Sequence, residues 1–136
     1  MLRLLTSIVI GYMLGKERKK HNKEGGGSRT LAIISLTSCL VAIISLEILK
    51  SINPETFNFS RLMAYCIVGI GFLGSSVIVH DKNQLDGITT ASLIWACVPI
   101  NFCIGLGFWF YGLLSSVLVF LILESKYWFN QSEENL

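Results

Sequence analysis

The stretch "ITTASLIWACVPINFCIGLGFWFYGLLSSVLVFLIL", residues 88–123, contains no Asp, Glu, Lys or Arg in 36 positions. A helix needs about 20 apolar residues to cross the hydrocarbon core of a bilayer. This stretch therefore fits two crossings joined by a tight turn. The turn is expected at Gly105–Gly107, because glycine accepts the positive φ angles that a sharp reversal requires. The sequence predicts an integral membrane protein.

The rest of the chain continues this pattern. The 136 residues are 52% hydrophobic and only 15% charged, whereas about 25% are charged in ordinary soluble domains. We predict an all-α, polytopic membrane protein with a five-helix transmembrane domain over residues 1–123 and a short cytoplasmic tail over residues 124–136. Hydropathy places the helices at Leu2–Gly15, Leu31–Leu49, Leu62–Val79, Ile88–Ile104 and Phe108–Leu123.

The distribution of basic residues predicts the orientation in the membrane. Six of the eleven lie in the first loop, namely Lys16, Arg18, Lys19, Lys20, Lys23 and Arg29. With Lys82 and Lys126 they make eight on one side, against Arg3, Lys50 and Arg61 on the other. The positive-inside rule then puts the N-terminus outside and the C-terminus in the cytoplasm. The same rule accounts for the basic cluster without a nucleic-acid partner. We expect the first helix to be retained, since no A-x-A-like cleavage site follows it.

Residue types that commonly carry chemistry are sparse. The four cysteines Cys39, Cys66, Cys97 and Cys103 lie in apolar segments without a C-x-x-C pair, which is typical of small buried hydrophobes. No G-x-S-x-G, H-E-x-x-H or Walker motif occurs, so we expect no enzymatic activity and no cofactor other than a possible Mg²⁺ ion. Asn101 is the one amide deep in an apolar run, and the scarcity of intramembrane charge disfavours an ion pump or proton relay.

Small residues recur at helical spacing in three of the predicted helices. In a bilayer, helix contacts are enriched in small residues that let two backbones approach closely. We therefore expect helices one, three and four to pack together through such faces. The predicted helix-packing residues are Gly11, Gly15, Gly69, Gly71, Gly74, Gly87 and Ala91.

Polar residues gather at the predicted cytoplasmic ends of the helices. They form a candidate functional surface of Glu17, Arg18, Arg29, Thr30, Asp86, Thr89 and Thr90. Helix N-termini favour anions, and Mg²⁺ keeps several waters and needs few direct carboxylates. Glu17 and Asp86 are therefore candidate metal ligands, and simple interfacial ion pairs are the alternative.

Four motifs in order resemble the MgtC/SapB family of bacterial inner-membrane proteins. They are "GYMLGKER" from Gly11, "GSRT" from Gly27, "RLMAYCIVGIGFLG" from Arg61 and "GITTASLIW" from Gly87. Arg61, Phe72 and Trp95 are further positions of the family pattern. The chain departs from that pattern at Ser75–Ser76 and at Asn58, and it resembles a short form without the cytoplasmic C-terminal domain of longer members.

The resemblance implies a multi-pass protein of the bacterial inner membrane linked to magnesium homeostasis or to adaptation to low Mg²⁺. Two mechanisms remain open. The first is a regulator that acts on other membrane proteins by helix packing, with the F-type ATP synthase as a possible partner. The alternative is a transporter or channel for Mg²⁺, or for another small solute, formed by a homo-oligomer. A homo-oligomer, with a dimer favoured, is expected under both mechanisms.

Overall fold

The computed structural model describes residues 1–21, 27–51, 58–81 and 84–133, with side chains described for 1–18, 27–51, 58–78 and 86–125. Five helices and one short strand pair follow one another along these residues. They are α1 (Leu2–His21), α2 (Ser28–Ser51), α3 (Phe59–Ser75), β1 (Val79–Asp81), β2 (Gln84–Asp86), α4 (Ile88–Leu106) and α5 (Trp109–Glu133).

The five helices lie where hydropathy predicts them, and three of their ends differ from the predicted ends by four residues or more. α1 continues from Gly15 to His21, because Lys, Glu and Arg are good helix formers and extend an apolar helix into the interface. α5 runs past Leu123 to Glu133. The predicted end of helix three at Val79 is wrong, since α3 stops at Ser75.

A two-stranded antiparallel pair follows α3 in place of the last predicted helical turn. Val79 lies opposite Asp86 and Asp81 opposite Gln84. The β-branched run Val77–Val79 favours extended backbone over helix, because two heavy atoms on Cβ restrict the side chain against the preceding helical turn. The short charged segment between α3 and α4 is therefore a hairpin.

The chain is an all-α membrane protein. Within the described residues, α2 and α4 are long and apolar enough to cross a bilayer, and Phe59–Ser75 and Trp109–Ser125 are shorter apolar helices. α4 occupies the centre, since it contacts α1, α2, α3 and α5, while α1 packs chiefly on α2. The buried hydrophobic core accordingly draws half of its members from α4, including Leu93, Ile94, Val98 and Phe102.

The predicted reversal between α4 and α5 depends on Gly107, whose φ is 95°. The N–H of Gly107 donates to Ile104 O over 3.1 Å, and the N–H of Phe108 donates to Cys103 O over 2.8 Å. These two bonds form a Schellman motif, which satisfies carbonyls at the end of a helix. Arg3 Nη1 donates to Gly105 O over 2.8 Å. A cation there also complements the negative end of the helix dipole, so α1 is tied to the end of α4.

Candidate functional site

The G-x-x-x-G motif of α1 packs against α2. A Cβ on Gly11 would lie 2.5 Å from Leu31 O and 2.7 Å from Ser35 Cβ, and a Cβ on Gly15 would lie 2.5 Å from Ser28 Cα. Nothing larger than glycine fits at either position without moving the α2 backbone. The sequence predicted a close contact here but assigned it to helices three and four. In the structure the partner of α1 is α2, the next helix along the chain.

The three glycines of α3 separate into one that packs and two that do not. A Cβ on Gly74 would meet Ala91 O at 3.5 Å, so this part of the predicted contact between α3 and α4 exists. Gly69 and Gly71 would have nothing within 4 Å of an added Cβ. The described residues therefore supply no contact for these two glycines, and their packing role stays a prediction. Phe72 is 78% exposed and Trp95 48% exposed, so these two family-motif side chains also face outward.

Gly87 has a role different from helix packing. It precedes α4 with a φ of 88°, and a Cβ there would collide with Val77 O. Its carbonyl accepts the first helical hydrogen bond of α4, from Ala91 N over 2.8 Å. The residue is therefore a turn glycine that closes the hairpin onto α4. Left-handed backbone of this kind is readily adopted only by glycine.

Two packing glycines were missed by the sequence reasoning. A Cβ on Gly105 would lie 2.6 Å from Ala42 Cβ and 2.7 Å from Cys39 O, which brings α4 close to α2. A Cβ on Gly112 would lie 2.6 Å from Ile104 Cγ1, which brings α5 close to α4. Neither glycine belongs to a G-x-x-x-G pair. The sequence assigned Gly105 to the predicted turn, and Gly112 is an isolated glycine within an apolar helix.

The predicted polar surface does gather at one end of the bundle. Arg18 near the end of α1 donates from Nη2 and Nε to Thr90 Oγ1 at the start of α4, over 3.0 and 3.3 Å. The contact between Gly15 and Ser28 brings the start of α2 to the same end. Glu17 and Thr90 are buried there, Arg18 is half-buried, and the exposed members are Arg29, Thr30, Asp86 and Thr89.

Arg61 lies apart from this surface. It is exposed in the first turn of α3, where its backbone N–H donates to Asn58 Oδ1 over 3.0 Å. Asn58 thereby caps the helix, because its side chain satisfies a donor that the first turn leaves without a helical partner.

Nearby in sequence, Glu47 pairs with Lys50 over 2.8 Å on the exposed end of α2. Such an exposed pair contributes little to stability.

The interior holds a neutral polar cluster that joins three helices. Asn101 Nδ2 in α4 donates to Ser35 Oγ in α2 over 2.9 Å and to Cys97 O over 2.7 Å. Asn101 Oδ1 lies 2.8 Å from Ser7 Oγ in α1, which also lies 2.6 Å from Ser35 O. We call Ser7, Ser35 and Asn101 the core triad. All three residues are fully buried.

The core triad depends on Gly11. The added Cβ of any other residue at position 11 would occupy the space that Ser35 Oγ takes. The single hydroxyl proton of Ser7 has two acceptors within reach, so it links α1 to both α2 and α4. Asn101 stood out in the sequence as an isolated amide, but its partners could not be identified there, because Ser7 and Ser35 are distant in sequence and carry no motif.

Metal-binding residues form no compact set among the side chains described. Within those residues, no group of three or more His, Cys, Asp or Glu side chains could hold a metal ion. Glu17 lies buried near the end of α1 and Asp86 is exposed beside the start of α4. Their role as Mg²⁺ ligands stays a prediction. Cys39, Cys66, Cys97 and Cys103 are all free thiols.

The fold and the polar residues define an all-α membrane protein with a hydrogen-bonded core and a polar surface at one end. The chain belongs to the MgtC family, whose model matches residues 4–132. The resemblance to the MgtC/SapB family is thereby confirmed.

Three relatives illustrate the likeness. The chain is 29% identical over 133 residues to Protein SapB of Bacillus subtilis, 32% over 126 residues to YhiD of Escherichia coli K12 and 30% over 118 residues to Protein MgtC of Salmonella typhimurium LT2. These alignments cover 94%, 90% and 87% of this chain and 56%, 58% and 48% of the relatives. The chain thus spans about half the length of the curated relatives it matches. No solved structure matches it.

Proposed function

We propose that the chain is a non-enzymatic membrane protein that regulates another membrane protein by packing α3 against one of its helices. The observation that carries this proposal is the open small-residue face of α3. Gly71 has nothing within 4 Å of an added Cβ. Ser75 follows one turn later and Ala64 precedes by two turns, and both are exposed. We call Ala64, Gly71 and Ser75 the small face of α3.

The small face resembles a helix–helix contact surface on which no described helix packs. Glycine within a helix costs about 1 kcal/mol relative to alanine, and close packing offsets that cost at Gly11 and Gly105. At Gly71 nothing among the described residues offsets it. Small residues at this spacing allow a second helix to approach closely in lipid. Gly69 lies about 200° around the helix from Gly71. It has bulky residues one turn before and one turn after it, Tyr65 and Leu73, whereas Gly71 has Ile67 before it but Ser75 after it.

The proposed setting is adaptation to low Mg²⁺ at the bacterial inner membrane, with the N-terminus outside and the C-terminus in the cytoplasm. The family resemblance supports the magnesium link, and the name of the relative YhiD proposes a magnesium transporter. A second copy of the chain, as in a homodimer, and a larger assembly such as the F-type ATP synthase are the two candidate partners for the small face. The surface of Glu17, Arg29 and Asp86 would then lie on the cytoplasmic side.

The first test replaces one glycine of α3 at a time. Gly71→Leu is expected to abolish support of growth at low Mg²⁺. The amount of folded protein in the membrane should not change, because no described residue lies within 4 Å of an added Cβ at this position. Gly69→Leu is the matched control, of the same residue type on the other side of the same helix, and should retain growth. Normal growth with Gly71→Leu, or equal loss with both variants, would contradict the proposal.

The second candidate function is a Mg²⁺ transporter, which the name of YhiD favours. We expect proteoliposomes that contain the purified, folded chain to show no more Mg²⁺ flux than empty vesicles, because the described interior is closed by neutral hydrogen bonds of the core triad. The measurement uses a Mg²⁺-sensitive dye inside the vesicles. Flux that Asp86→Asn removes and Lys50→Gln preserves would favour the transporter and refute the regulator.

A further inference from the structure

A long groove separates α1 from α5. These two helices touch at few points, and between them lies an open cavity of about 520 Å³. Its walls include Leu5, Val9 and Met13 of α1 and Leu113, Val117 and Phe120 of α5. We call this cavity the α1–α5 groove. It is distinct from the small face of α3, and the inference that follows does not depend on the proposed function.

The two hydroxyls that line the α1–α5 groove offer an occupant no free donor. Thr6 Oγ1 donates to Leu2 O over 3.0 Å, and Ser116 Oγ donates to Leu113 O over 2.8 Å. Each hydroxyl is therefore satisfied by its own helix, and the remaining lining side chains are apolar. A hydrocarbon chain needs no polar contact, so the chemistry of the groove suits it.

The lining residues distinguish a hydrocarbon chain from a partner helix. Helices that pack in lipid meet through small residues, and the lining of this groove has one on each helix, Thr6 and Ser116, among eight larger apolar side chains. Gly112, the nearest glycine of α5, is already in contact with α4 through Ile104. Large side chains such as Met13 and Phe120 keep a second helix backbone from approaching closely, whereas an acyl chain needs no such approach.

The length and the charge of the groove indicate which lipid fits. From Leu5 to Leu14 the α1 wall is about 14 Å long at 1.5 Å per residue, which is close to one leaflet, about half of a ~30 Å hydrocarbon core. Lys16 lies three residues beyond Met13 on the same side of α1 and is exposed. Lys16 thus carries a positive charge beyond this end of the groove on α1, and an anionic headgroup complements it.

We propose that the α1–α5 groove binds one acyl chain of an anionic phospholipid, with the headgroup at Lys16. The lipid fills the space that α1 and α5 leave between them and so holds α5 beside α1. The partner is a component of the surrounding bilayer, selected by a positive charge at one end of an apolar channel.

Lipid retention by the full chain tests this proposal. The protein is reconstituted in vesicles of equal amounts of phosphatidylglycerol and phosphatidylcholine, extracted in detergent, and the lipids retained are counted by native mass spectrometry. Wild type should keep one phosphatidylglycerol. Val117→Trp fills the groove and should remove it. Lys16→Gln should weaken retention about fivefold, the contribution of one lysine near an anionic lipid surface.

Two matched variants serve as controls. Val68→Trp adds the same bulk to an exposed position of α3, and Lys50→Gln removes an exposed lysine at the other end of the bundle. Both should retain phosphatidylglycerol as wild type does. Undiminished retention of phosphatidylglycerol by Val117→Trp would overturn the proposal. Equal retention of phosphatidylcholine and phosphatidylglycerol by wild type would overturn the preference for an anionic headgroup. Disulfide cross-linking between copies through Val117→Cys would assign the groove to a second chain and also overturn it.

Discussion

Gly11→Val is expected to destabilise the folded chain by about 3 kcal/mol, the upper end of the range for overpacking a close-packed interior. Any Cβ at this position lies 2.5 Å from Leu31 O, which is backbone and can move only with α2. It also displaces Ser35 Oγ, which accepts a hydrogen bond from Asn101. One substitution therefore separates two helices and opens the core triad.

The measurement is unfolding in mixed micelles by an increasing fraction of dodecyl sulfate, followed by circular dichroism. Gly69→Val is the matched control, since nothing lies within 4 Å of its added Cβ. Its effect should stay within about 0.5 kcal/mol, as for surface substitutions in general. Equal stability of the two variants would mean that α1 does not approach α2 as closely as the structure shows.

Asn101→Leu is expected to cost about 2 kcal/mol, because it removes three hydrogen bonds worth about 0.6 kcal/mol each in a membrane interior and leaves the buried Ser35 Oγ without its donor. The side chain of Asn101 connects Ser7, Ser35 and the carbonyl of Cys97. Leucine has a similar volume but no polar atom, so the loss reports on hydrogen bonding and not on a cavity.

Ser38→Ala provides the control for Asn101→Leu. Ser38 is also buried, but its hydroxyl donates only to Ile34 O of its own helix, so its removal should change stability by less than about 0.5 kcal/mol. The double variant Ser7→Ala, Asn101→Leu should cost less than the sum of the single variants, because both belong to one network. Strict additivity would show that Ser7 and Asn101 do not interact.

The core triad explains how a membrane interior with little charge is held in one arrangement. Apolar side chains pack against lipid about as favourably as against each other, so the hydrophobic effect does little to choose between alternative helix arrangements. A neutral amide with three partners on three helices favours one arrangement, because others leave those groups without hydrogen bonds. Arg3 at one end of α4 and Arg18 at the other add two further links to α1.

The helices and the family could be predicted from the sequence because both signals are local. An apolar run long enough to cross a bilayer can be recognised within a window of about 20 residues. The family motifs around Gly11, Arg29, Gly71 and Thr89 are likewise contiguous stretches of sequence. The Gly105–Gly107 segment likewise predicted a reversal, and Gly107 makes it. The end of α3 was predicted incorrectly, because hydropathy does not distinguish the end of an apolar helix from an apolar run such as Val77–Val79 that leads into a strand.

The sequence by itself determined that this is a helical membrane protein with small-residue contacts, and only the tertiary structure decided which helices make them. Gly11 and Gly71 carry the same local signal, yet one is enclosed by α2 and the other is open. A small residue shows that a backbone can be approached, not what approaches it. The core triad needed the structure for the same reason, since Ser7, Ser35 and Asn101 meet only when three helices are assembled.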